Sequence, residues 1–116
     1  MTTEQKTYAM AKAHFETIKA IVDKEKAKLP DITLDNNTAE AWELRSDIEY
    51  KHGYWEARDV LLKAEQALVT ATQTMLKTKR PADYTRVKDA FEKEIWNEEL
   101  KQKRIELCFL LDARTV

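Results

Sequence analysis

The sequence predicts an all-α fold: an antiparallel up-down bundle of three long helices, or four if the chain turns at Gly53. Three observations carry this. The 116 residues include one Gly (Gly53) and two Pro (Pro30, Pro81), whereas sheets draw on Gly, Asn and Asp for their tight turns. Alanine, lysine, glutamate and leucine are common, and these residues lose least on entering a helix. Apolar residues recur at spacings of three and four over long stretches, the period of a helix face. The length suits one domain spanning residues 1–116.

The first helix is expected from Thr3 to Leu29. Thr2 followed by Gln5 fits a capping box, in which each side chain satisfies an orphan amide of the first turn. Tyr8, Ala11, Phe15, Ile18, Val22 and Leu29 form one apolar stripe, with Glu25 as its polar interruption. Lys24, Lys26 and Lys28 place positive charge at the negative end of the helix dipole, and Pro30 stops the helix. Residues 30–37 make the one long connection, with Ile32 and Leu34 expected to tuck against the bundle.

The second helix is expected to start after Asn37 as cap, with Glu40 three residues on, and to run to about Thr78. Tyr54, Ala57, Leu61, Ala64, Leu68, Ala71 and Met75 give a regular Ala/Leu seam that lets a neighbouring backbone come close. Leu44, Ile48, Trp55, Leu62, Val69 and Leu76 lie on another face, so two stripes imply two packing partners. Gly53 either ends a helix at C′ or sits inside one at a cost of about 1 kcal/mol. No Ser, Thr or Asp follows it to cap a new helix, which favours a continuous helix of about 40 residues.

Residues 77–81 (KTKRP) end that helix, and the third is expected from Ala82 or Asp83 to about Ala113. Tyr84, Val87, Phe91 and Ile95 form one stripe, resumed by Ile105 and Phe109; Trp96, Leu100, Leu107 and Leu111 form another. The run IELCFLL (residues 105–111) is apolar on nearly every face. A peripheral helix of a small monomer should not be apolar all round, so either the bundle or a second subunit covers it.

Twenty basic and twenty-one acidic residues leave a net charge of −1, so no global field steers the chain toward nucleic acid or an anionic membrane. One cysteine, Cys108, excludes an internal disulfide and a thiolate-built metal site, and its apolar surroundings imply a buried thiol. No apolar stretch approaches the roughly 20 residues of a membrane span. The N-terminus lacks the apolar core of a signal peptide. A cytoplasmic protein without a cofactor is the expectation.

Arg45 and His52 in RSDIEYKH (residues 45–52) are seven apart, on one face of a continuous helix. An Arg followed a few residues on by His resembles the motif of the HEPN superfamily of small helical domains. The resemblance covers those residues, chain length and fold class; a Ser follows the Arg where the family usually has a larger polar residue. It implies a metal-independent ribonuclease working as a dimer, with His52 assisting attack by a ribose 2′-hydroxyl and Arg45 holding the scissile phosphate.

Glu49 and His52 also make a Glu-x-x-His step, as in di-iron bundles. A second such step is missing, because Ala11 stands three residues before His14. Residues 41–68 resemble a single tetratricopeptide unit through Trp42, Leu44, Gly53, Tyr54, Ala57, Leu61 and Ala64, without the further copies a solenoid needs. Two basic clusters, Lys77/Lys79/Arg80 and Lys101/Lys103/Arg104, lack interleaved aromatics and read as a helix end and a solvated face.

The main reading is a non-enzymatic helical interaction or oligomerisation module. Its partner is a protein or another copy of itself, as in a homodimer, and neither membrane nor nucleic acid is expected. Trp96, Leu100, Leu107 and Leu111 are the candidate interface. No catalytic, cofactor or metal residue is assigned; the alternative, a HEPN-like metal-independent ribonuclease or other RNA-associated helical protein, rests on Arg45 and His52.

Overall fold

The computed structural model describes residues 1–113 and places five α-helices among them. These are α1 (Thr3–Lys26), α2 (Ala39–Lys51), α3 (Tyr54–Lys79), α4 (Pro81–Glu92) and α5 (Glu98–Ala113). The all-helical expectation holds. The expected three long helices, or four with a turn at Gly53, are corrected to five, because two of the expected helices are each interrupted.

The first interruption is at Gly53. Its φ of +68° is the left-handed region, and no other described residue has a positive φ. A glycine reaches that region without the Cβ penalty other residues meet. The Gly53 amide donates to the Tyr50 carbonyl (3.2 Å), one of the two bonds of a Schellman ending, while His52 caps α2. Its carbonyl then accepts from Ala57 (3.0 Å), so the same residue closes α2 and opens α3. A Cβ added here would meet only Glu56 Oε2 at 3.8 Å, so backbone conformation, not space, demands the glycine.

The second interruption spans residues 93–97. Lys93 turns to extended backbone (φ −73°, ψ 132°). Asn97 then caps α5, its Oδ1 accepting from the amides of Glu99 (2.8 Å) and Leu100 (3.4 Å). Glu98 and Glu99 place carboxylates in the first turn, where the helix dipole favours them.

The other ends follow local chemistry. Thr2 and Gln5 form the expected capping box, with reciprocal bonds of 3.0 and 3.1 Å. α1 closes at Lys26, three residues before the expected Leu29, in tightened i→i+3 bonds ahead of Pro30. Thr38 replaces Asn37 as the cap of α2, accepting from the Ala41 amide (3.2 Å). Asn37 instead accepts from the Trp42 indole (2.7 Å). In the connection Asn36 bonds back to Thr33 and Asp31. Ile32 is half-buried there, but Leu34 is 100% exposed and does not tuck in as expected. Pro81 opens α4 at its first position, where a missing amide hydrogen costs nothing.

The chain divides into two compact units: Met1–Ala9 with Leu62–Val116, and Met10–Leu61. The first has a continuous core of Leu68, Val69 and Leu76 from α3, Val87 and Phe91 from α4, and Ile105, Cys108 and Leu111 from α5. Tyr8 joins it, its ring 5.9 Å from Phe109, and buried Gln5 donates to the Cys108 carbonyl (3.4 Å). In the second unit only Ala11, Val22 and Ala57 are fully buried. Phe15 and Tyr54 stack at 5.3 Å beside them. Trp42, Leu44, Tyr50, Trp55 and Val60 stay exposed.

Gly53→Ala is expected to lower stability by about 1–2 kcal/mol, the left-handed penalty, and Gly53→Asn by less. Urea denaturation reads both. A gain in stability with Ala would instead mean that α2 and α3 join into one helix.

Candidate functional site

Arg45 and His52 sit on the face of α2 that meets the end of α1, and both are engaged there. The Arg45 guanidinium donates to the Ala41 carbonyl (2.9 Å) and, across the connection, to the Pro30 carbonyl (2.6 Å). His52 Nε2 lies 2.7 Å from Glu25 Oε2 and, facing a carboxylate, carries the hydrogen. Lys26 pairs with Glu49 at 3.5 Å, and Lys51 reaches Glu25 at 3.8 Å. α2 has no fully buried residue, and Glu25 and Lys26 at the end of α1 meet it through these polar contacts. The hydrogen bond from His52 holds the Glu25 carboxyl below the ordinary glutamate range; partial desolvation opposes this, and the charges of His52, Lys51 and Lys28 reinforce it.

Glu49 and His52 thus turn to different partners and do not converge. Among the described residues no group of three or more His, Cys, Asp or Glu side chains is placed to hold a metal ion. No helix among them is long and apolar enough to cross a membrane.

The basic clusters are likewise tied into the chain. Arg80 donates to the Leu111 carbonyl (2.9 Å) and pairs with Asp83, while Lys77 lies 5.0 Å from the Tyr84 ring. Lys101 pairs with Glu65 (3.0 Å) and Lys103 with Glu99 (3.6 Å).

The apolar residues of α5 separate into two sets. Ile105, Cys108 and Leu111 recur every three residues and are buried in the chain's own core. The second stripe is graded: Leu100 is 50% exposed, Leu107 half-buried and Leu111 fully buried. Leu111 was expected at the interface, but its side chain is used up inside the chain. Leu100 and Leu107 instead line an open, mainly apolar groove of about 400 Å³, together with Ile95, Trp96 and Ala90. Trp96 stands in the interruption between α4 and α5 and is 86% exposed.

The groove's lining also includes Lys93, Arg104 and Lys103, the last paired with Glu99, and one carboxylate, Glu94. Arg104 reaches the Lys93 carbonyl at 3.5 Å, and its Nε is buried without an acceptor. An unmet buried donor costs about 1–3 kcal/mol. Periodicity identifies the stripe. The groove depends on the break at 93–97, whose signal is the cap sequence Asn97–Glu98–Glu99. Compared with known protein families, with curated proteins and with solved structures, the chain matches none.

Two outcomes test these placements. Leu111→Ala should cost roughly 2–5 kcal/mol of stability as a core truncation, whereas Trp96→Ala should stay within about 0.5 kcal/mol; urea melts of both distinguish core from surface. Glu25→Gln should be less stable than wild type at neutral pH. Because the folded carboxyl is held low, its contribution is present above the unfolded value and fades as pH falls through the folded one. The two melting curves should therefore converge only once the pH has fallen below the ordinary glutamate range.

Proposed function

We propose that the chain is a helical interaction module that binds a protein partner, or another copy of itself, through the groove where α4 gives way to α5. The observation carrying this is Trp96, 86% exposed beside an apolar groove whose wall includes Leu100 and Leu107. Tryptophan is among the residues that dominate binding energy when a partner desolvates them. A large apolar side chain grouped with others around a concavity, under a polar rim, has the anatomy of a contact surface. The remaining stripe residue, Leu111, is fully buried and is left out of the proposed contact.

Leu107→Lys is expected to abolish self-association while leaving the helical circular dichroism spectrum unchanged. Size exclusion with light scattering reads the change from assembly to monomer. A wild-type chain that is monomeric at every concentration removes self-association from this reading.

A further inference from the structure

α2 is the other unusual surface of the molecule. It has no fully buried residue, yet Trp42 and Tyr50 stand 55% and 76% exposed. The two are eight apart, just over two turns, and so fall on adjoining parts of one side. Glu43 and Asp47, four apart, flank them and are exposed. Arg45, Glu49 and His52 are engaged with Pro30 and the end of α1; Trp42, seven residues before Glu49, borders that seam, whereas Glu43, Asp47 and Tyr50 face away from it. The indole of Trp42 is already oriented by its bond to Asn37, so little freedom is left to lose on binding. α2 therefore presents an acidic, aromatic face to solvent.

The groove differs from this face: its mainly apolar lining includes three cations, Lys93, Lys103 and Arg104, and one carboxylate, Glu94. We infer that the occupant of the groove is α2 of a second copy of this chain. Trp42 enters beside Trp96, and Glu43 and Asp47 lie against Lys93, Lys103 and Arg104. The two surfaces differ, so the contact is heterologous and each copy offers one donor helix and one acceptor groove. Attraction between rim charges adds a salt dependence to the association.

This inference rests on the reading of the groove as a contact surface, and mixing single variants separates the two. Trp42→Ala keeps the groove and loses the inserting side chain; Trp96→Ala does the reverse. Sedimentation velocity should show each variant alone weakened at least about tenfold in self-association. An equimolar mixture should form a one-to-one dimer through the one contact still intact. The double variant Trp42→Ala/Trp96→Ala should be monomeric. Tyr50→Ala should act like Trp42→Ala, which covers the case in which the Trp42 change loosens α2.

If Trp42→Ala and Tyr50→Ala assemble like wild type while Trp96→Ala does not, α2 is not the occupant and the groove reading stands. If Trp96→Ala also assembles like wild type, both fail. A wild type that stays monomeric overturns the second copy as occupant.

Discussion

The left-handed backbone at Gly53 is the constraint on which the arrangement of α2 depends. With ordinary helical dihedrals at that position, residues 39–79 would form a single rod. Instead the helix breaks at His52 and Gly53, and α3 begins at Tyr54. The same turn makes His52 a capping residue and puts its ring against Glu25. The contacts of Glu49 and Lys51 with the end of α1, and of Arg45 with Pro30 in the connection, follow from the same geometry. A residue without a side chain thus decides which face of α2 is used and which is left to solvent.

The two compact units have different sources of stability. The one containing α4 and α5 has a core of large side chains contributed by three helices, with two buried polar residues. Gln5 is satisfied by the Cys108 carbonyl and Thr72 by that of Leu68. The other buries little beyond Ala11, Val22 and Ala57 and joins α2 to α1 by ion pairs and hydrogen bonds. Exposed ion pairs are individually weak, and salt screens them. Elements held this way open more readily than a packed core does. Low burial in α2 is also what leaves its aromatic rings available.

Much of the local structure was legible from residues alone. The Thr2–Gln5 box, the stop before Pro30 and the seam from Ala57 to Leu68 are short-range features that context does not overturn. The breaks were harder because apolar periodicity continues across them. Ile48 to Trp55 keeps heptad spacing through Gly53, and Ile95 to Ile105 keeps one face through Asn97. Leu44 and Trp55, read as part of a packed second stripe, are exposed; on that stripe only Val69 and Leu76 are fully buried. Periodicity reports which residues would share a face if the helix continued, and says nothing about whether a neighbour reaches them. Arg45 and His52 illustrate the same limit, since their spacing gave no sign that Pro30 and Glu25 would take up their polar atoms.

The break at 93–97 links fold to function most directly. On an uninterrupted helix Trp96, Leu100, Leu107 and Leu111 would form one continuous ridge, and a ridge offers no concavity. Ending α4 at Glu92 removes more than a turn of helix. The Lys93 carbonyl is then free of any helix ladder and is met by Arg104 from across the gap. The missing turn becomes the groove, with Trp96 at its edge and the upper part of the leucine stripe as its wall. Leu111, at the other end of that stripe, is enclosed by the core, while Leu100 and Leu107 stay open to the groove. Rigid support beneath an exposed apolar surface favours binding, because little ordering remains to be done when a partner arrives. The same interruption that defeats a reading by periodicity is therefore what gives α5 an apolar concavity in place of a ridge.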